Sequence, residues 1–212
     1  MWGGQGLRET AKIEERLGEV GRPLVHWPLA GRAVTPVVEV SSLPWPSPLL
    51  SLLPLTGLSQ PLPLQALLWP TISRLQSSLS VAEPGQGSTL AWLLPLTALL
   101  YDKHTYSDLP AGPGPLLVVL CPGLEVVTSL ATLIQELVLK VGLELRVVED
   151  CAGARRVEPA LFLNGLEVLL TTPTRLHERL TASPSLIGLE RCRHLVLERA
   201  ETMVELWQEQ VI

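Results

Sequence analysis

The sequence predicts an α/β fold, a parallel sheet with helices on both faces and loops at the carboxyl ends of the strands. Three observations lead there. From Thr56 onward, short aliphatic runs alternate with longer helical patterns, the rhythm of βαβ units. LLVVL at Leu116–Leu120 is continuously aliphatic, as a strand buried on both faces must be. A glycine-rich stretch, Glu83 to Gly87, falls between a strand-like run and a helix pattern, the setting of a phosphate-binding turn.

Along the chain, residues 1–50 read as an irregular N-terminal arm. The arm holds a charged helix pattern at Glu9–Leu17 and then a stretch rich in proline, glycine and tryptophan. Its apolar residues show no sustained period, so residues 1 to about 40 are expected to pack loosely. Residues 51–212 form the domain. Ser78–Ala82 is strand-like and leads into the glycine turn, and Thr89–Tyr101 is an apolar helix. Leu116–Leu120 is a strand, Leu124–Val141 a long helix, Leu143–Val148 a strand and Arg155–Asn164 a helix pattern. Leu166–Thr171 is a strand; Pro173–Leu180 follows as a helix with its proline in the first turn, where proline is tolerated. His194–Leu197 and Glu201–Gln210 complete the set as strand and helix. Ser78–Ala82, Leu116–Leu120, Leu166–Thr171 and Leu195–Leu197 are expected to be parallel neighbours in one sheet.

Composition narrows the function. The chain has 212 residues, 47% hydrophobic and 17% charged, with net charge −5. Its lysines are Lys12, Lys103 and Lys140. No global basic field draws it to nucleic acid, so DNA is not expected and any RNA contact must be local. Cys121, Cys151 and Cys192 are odd in number and widely spaced. They read as buried free thiols of a reducing compartment, which points to the cytoplasm. The histidines, His26, His104, His177 and His194, are scattered and form no metal-ligand pattern. Val40–Ser73 is uncharged, but seven prolines interrupt it; a membrane-spanning helix tolerates one or two such breaks. The N-terminus carries charges and no apolar signal core.

The turn itself reads Ala82, Glu83, Pro84, Gly85, Gln86, Gly87, Ser88, Thr89. It has the frame of the phosphate loop G-x-x-x-x-G-K-[ST], with serine in the lysine's place. Around it, Gly57-Leu-Ser-Gln-Pro61-Leu-Pro63-Leu-Gln65 followed by Pro70 resembles the Q motif of DEAD-box RNA helicases. Thr89-Leu-Ala-Trp-Leu-Leu-Pro95 is similar to that family's helix after its phosphate loop. Cys121-Pro122-Gly-Leu-Glu125 resembles Pro-Thr-Arg-Glu-Leu, and Thr172-Pro173-Thr-Arg175-Leu176 resembles Thr-Pro-Gly-Arg-Leu. His194-Leu-Val-Leu-Glu198-Arg199-Ala200-Glu201 falls where Leu-Val-Leu-Asp-Glu-Ala-Asp belongs. Five weak matches in the family's order, from about Thr56 to the C-terminus, make a strong one. Among relatives with eroded motifs, the chain is similar to the Tudor-domain-containing helicase-like proteins of the piRNA pathway.

The resemblance implies a RecA-like P-loop domain, the first of two such domains, which binds ATP and magnesium and remodels RNA. On this pattern Gln65 faces adenine, Ala82 to Thr89 hold the phosphates, and Thr89 and Glu198 hold magnesium. Glu198 and Arg199 occupy the catalytic acidic pair, while Pro122, Glu125, Thr172 and Arg175 face RNA. Arg155 and Arg156 read as a basic patch near the position of a Gly-Gly element, where Gly153 alone corresponds. The family's Ser-Ala-Thr strand and second RecA-like domain are not in these 212 residues, so the chain reads as a fragment or short isoform.

Two departures alter the chemistry. Ser88 is neutral where the family has a lysine on the outer phosphates. Lys103 stands fourteen residues beyond Thr89, roughly 21 Å along a helix, too far to substitute. Arg199 replaces the glutamate that orients water, and an arginine is no base. The expected function is a helicase-like domain with weak ATP, magnesium and RNA binding and hydrolysis lost. The first alternative is a non-enzymatic scaffold for protein partners in a ribonucleoprotein particle, a role suited to exposed tryptophans and prolines in the arm. The second is an active helicase with atypical motifs.

Overall fold

The computed structural model describes residues 24–26, 34–55, 60–83, 85–102, 112, 114–142, 144–152, 162, 166–182 and 187–211. The chain divides into two units, Met1–Thr105 and Tyr106–Ile212. The expected helices at Glu9–Leu17 and, apart from Phe162, at Arg155–Asn164 lie outside the described residues, as does Gly57 of the Q-motif-like stretch.

The first unit contains strand β1 (Leu24–His26), a 3-10 turn at Val40–Ser42, helix α1 (Ser47–Leu55), helix α2 (Pro63–Ser73), strand β2 (Leu79–Val81) and helix α3 (Ser88–Tyr101). α1 begins inside the segment assigned to the arm. Its buried leucines, Leu49, Leu52 and Leu53, recur at helical spacing. α2 starts with Pro63, whose missing N–H is harmless in a first turn. Pro70, farther along α2, donates no bond to Ala66, four residues back. That carbonyl instead accepts the backbone N–H of Val37 at 2.9 Å, tying the arm to the helix. Trp45 of the arm is also buried. Its ring packs edge-on against Trp69 with centroids 5.1 Å apart, and its Nε1 donates to Ser73 Oγ at 3.0 Å. The expectation of an exposed tryptophan in the arm is therefore corrected at Trp45: a large ring with one polar atom is better placed where both halves have partners.

β2 corrects a second expectation. It pairs antiparallel with β1, Leu24 opposite Val81 and His26 opposite Leu79. Among the described residues it has no partner in the parallel sheet. The physical reason is visible in the strand. Leu79-Ser80-Val81 alternates apolar and polar residues, a pattern that an antiparallel strand takes as readily as an edge strand of a parallel sheet.

The second unit is built on a parallel four-stranded sheet with order β4-β5-β3-β6. β3 is Pro115–Leu120, β4 Val147–Asp150, β5 Leu166–Thr171 and β6 His194–Leu197. Pro115 through Val119 are all buried, so both faces of β3 are covered, as LLVVL predicts. β4 begins later than the expected Leu143–Val148. Helix α4 (Leu124–Val141) ends at Gly142, with left-handed φ of 69°, and the Arg146 backbone N–H is capped by the Glu167 carboxylate at 2.7 Å. The ladder therefore starts only at Val147. α4 packs its Val127, Leu130, Ala131, Ile134, Leu137, Val138 and Val141 stripe inward. Helix α5 (Pro173–Ala182) contributes Leu176 and Leu180 to a core with Val148, Phe162, Leu166, Leu169 and Ile187. Gly114 precedes β3 at φ of 100°, where a Cβ would meet the Gly188 carbonyl oxygen at 1.8 Å. Helix α6 (Ala200–Val211) follows β6.

The strand registers align the carboxyl ends. Leu120 lies opposite both Thr171 and Leu197, and Asp150 lies opposite Thr171. Cys121, Pro122, Cys151, Thr172 and Glu198 therefore emerge along one edge, the edge where open α/β sheets hold ligands.

Candidate functional site

The sequence-derived site residues fall into two groups, one in each unit. In the first unit the glycine turn is formed. Gly85 and Gly87 have φ of 87° and 72°, conformations open to glycine at little cost. The Gln86 N–H donates to the Glu83 carbonyl at 3.3 Å, and the Gly87 carbonyl takes the first helical bond of α3, from Ala91 at 3.0 Å. Ser88 and Thr89 occupy the first turn of α3, Ser88 exposed and Thr89 half-buried. Ala82 is half-buried under the turn, and packs with Leu64, Leu68 and Ala91. Pro84 lies outside the described residues.

Gln65 is fully buried behind this turn. Its Oε1 accepts the Leu62 N–H at 3.0 Å, and its Nε2 donates to the Gly87 carbonyl at 3.4 Å. A Cβ on Gly87 would lie 2.5 Å from that nitrogen. The amide thus ties the start of α2 to the turn. A second tie runs beside it, from Trp69 Nε1 to the Leu90 carbonyl at 3.2 Å.

The turn pairs left-handed glycines with a helix start but has no cation beside it in the sequence. Successive N–H groups in left-handed glycine turns form anion-binding concavities, and the start of α3 adds the helix dipole. From Ala82 to Tyr101, however, the one charged residue is Glu83. Lys103 and the Arg155–Arg156 pair lie outside the described residues, as does Gly153.

In the second unit, β6 delivers Glu198 and Arg199. The Glu198 N–H donates to the Leu120 carbonyl at 2.9 Å, which places Glu198 one residue past the sheet. Arg199 turns the chain with a left-handed φ of 53°. Its carbonyl accepts from Thr202 at 3.1 Å and Met203 at 3.4 Å, opening α6. Cys121 lies close enough to feel both side chains. Burial first, then the Glu198 charge, push its thiol up to about 12. Burial likewise raises Cys151 and Cys192 and lowers His194. Burial thus disfavours the thiolate, the nucleophilic form, at all three cysteines. Among the described residues no cluster of three metal-ligating side chains occurs, and no helix is long and apolar enough to cross a membrane.

Pro122 and Glu125 stand at the start of α4, Pro122 half-buried and Glu125 exposed. Thr172 precedes α5, and its Oγ1 accepts the Arg175 N–H at 3.4 Å. The Arg175 guanidinium is held on two sides. Nε donates to Asp150 Oδ1 at 3.1 Å and Nη1 to Glu178 Oε2 at 2.9 Å. The Glu178 bond, and secondarily Asp150, raise the Arg175 pKa against the opposing effect of burial. Arg179 closes the cluster with a bidentate grip on Asp150, at 2.8 and 3.0 Å, while stacking 5.7 Å from the Phe162 ring centre. Sequence reading missed Asp150, Glu178 and Arg179. The one signal available was the Arg-x-x-Glu-Arg spacing of α5, which puts Arg175, Glu178 and Arg179 on neighbouring positions of one helix face.

Comparison with known proteins gives the family and the fold. The family model described as DEAD/DEAH box helicase matches residues 62–212. The DEAD-box ATP-dependent RNA helicase 30 of Arabidopsis thaliana is 32% identical over 165 residues, covering 76% of this chain and 26% of its own. The DEAD-box ATP-dependent RNA helicase 20 of Oryza sativa is 30% identical over 174 residues, covering 81% and 33%. The chain spans roughly a quarter to a third of the length of the curated relatives it matches. The crystal structure of a DEAD box protein from the hyperthermophile Methanococcus jannaschii superposes with TM-score 0.63 at 16% identity, covering 81% of this chain and 44% of that one. That likeness is one of fold.

Proposed function

The chain belongs to the DEAD/DEAH box helicase family, and we propose that it is a degenerate helicase-like domain that binds nucleotide and RNA weakly and does not hydrolyse ATP. One observation carries the proposal: the turn keeps its glycine geometry while Glu83 is the one charge between Ala82 and Tyr101. Without a cation against the β- and γ-phosphates, binding rests on backbone N–H groups and the α3 dipole. Thr89, in the first turn of α3, is the residue of this unit that would hold magnesium, which would supply charge to a phosphate chain when bound. Arg199 stands where the family places the residue that orients water, and a guanidinium that cannot be deprotonated does not accept a proton. Thr172 and Arg175 are the residues we assign to RNA phosphates, on the carboxyl edge of the sheet.

The test is a titration of labelled ATP against the wild type, Ser88→Lys and Ser88→Lys/Arg199→Glu, with phosphate release measured in the presence of RNA. In a protein that includes a second RecA-like domain, Ser88→Lys is expected to tighten ATP at least about tenfold without turnover, and only the double variant is expected to regain hydrolysis. If it leaves affinity unchanged, the turn is structural and the chain serves as an interaction scaffold. Phosphate release by the wild type at about 1 per second or faster would overturn the account of Arg199.

A further inference from the structure

Arg175 is the arginine assigned to RNA, yet its guanidinium is already engaged. A guanidinium offers two edges for bidentate recognition, Nε with Nη2 and Nη1 with Nη2. Here Nε is bonded to Asp150 and Nη1 to Glu178. Each edge has one member taken, and among the described residues no bond to Nη2 occurs. A phosphate can be gripped in a fork only if one carboxylate lets go.

The two carboxylates differ sharply in what holds them. The Asp150 side chain is 4% exposed and takes two further bonds from Arg179. Its Cα partner Thr171 donates to the Asp150 carbonyl as well, at 2.6 Å. Releasing it would strand a buried charge. The Glu178 side chain is 54% exposed, lies one helical turn from Arg175, and among the described residues makes this single bond. Water replaces such a partner at little cost.

We propose that Glu178 is a displaceable competitor for RNA phosphate at Arg175, with Asp150 as the fixed anchor that keeps the guanidinium on the sheet edge. RNA phosphate takes the Nη1–Nη2 edge that Glu178 vacates, while Nε stays on Asp150. Glu178 thereby sets the affinity and the salt sensitivity of this contact without touching RNA. The inference rests on the reading of Arg175 as an RNA-phosphate contact.

The test uses the full 212-residue chain and a fluorescein-labelled single-stranded oligouridine, with affinity read by anisotropy across a salt series. Four proteins are compared: the wild type, Glu178→Gln, Arg175→Ala and the double variant. Glu178 is exposed, so Glu178→Gln keeps the fold. It is expected to tighten RNA about two- to fivefold. Arg175→Ala is expected to weaken RNA and flatten the log-affinity against log-salt slope by about one contact. In the Arg175→Ala background the Glu178→Gln gain should vanish, the coupling that a purely general charge effect lacks. If Arg175→Ala weakens RNA but Glu178→Gln does not tighten it, or tightens it equally in both backgrounds, the competitor role is overturned and the RNA reading stands. If Arg175→Ala leaves RNA affinity and salt slope unchanged, the RNA reading falls and this inference with it.

Discussion

The glycine turn of the first unit and the arginine cluster of the second solve opposite problems. The turn has geometry without charge. Two left-handed glycines shape it and Gln65 braces it from behind, but a serine stands at its charged position. The cluster has charge without vacancy. Arg175 and Arg179 share Asp150, and Glu178 takes a second face of Arg175, so two cations meet two anions. The difference teaches how shape and charge are lost separately. Backbone shape is written in several residues and in packing, so it outlasts the loss of any one side chain. Charge sits in single residues, and one substitution or one new neighbour cancels it.

Three substitutions would break or sharpen this contrast. The largest effect is expected from Asp150→Asn, which leaves two arginines facing a neutral amide. Breaking a buried pair in this way should cost about 3 kcal/mol, read as a lower denaturant midpoint with unchanged slope; a loss below about 1 kcal/mol would mean that the cluster is a surface decoration. Next comes Gly87→Ala. A left-handed φ costs an L-residue roughly 1–2 kcal/mol, and the new Cβ would press on Gln65 Nε2 at 2.5 Å. The expected loss is about 2 kcal/mol, and Gln65→Ala in the same chain should recover the steric part. Additive losses in the double variant would show that Gln65 does not brace the turn. The smallest effect is expected from Arg199→Gly, where the substitution relieves a φ of 53° and should stabilise by up to about 1 kcal/mol, seen as a higher thermal midpoint. A lower midpoint would show that the Arg199 side chain holds structure of its own.

Much of the fold was legible because its signals are local. Leu116–Leu120, Leu166–Thr171 and His194–Leu197 are strands by aliphatic content alone, and all three lie in the parallel sheet. Leu124–Val141 is a helix by its apolar stripe. β2 misled because a three-residue strand next to a glycine turn looks alike in either kind of sheet, and its partner comes from β1, far back in the chain. α1 was hidden by its prolines, whose tolerance depends on position within the helix. The site divides in the same way. The turn could be read from its spacing, and Ser88, Glu198 and Arg199 were singled out by the family resemblance, whereas the state of Arg175 was legible in neither.

By itself, the sequence determined which atoms stand at the key positions: a hydroxyl at Ser88, a guanidinium at Arg199, no cation from Ala82 to Tyr101. It also determined the turn, because glycine's freedom at positive φ is a property of the residue. Tertiary structure decided which groups meet. Asp150 reaches Arg175 and Arg179 across 25 and 29 residues, Gln65 reaches Gly87 across 22, and Trp45 reaches Ser73 across 28. The reason is physical. A residue's chemistry and backbone preference travel with it, but the partner that neutralises a charge or buries an amide is chosen by strand register and helix packing, and these exist only once the whole core has formed.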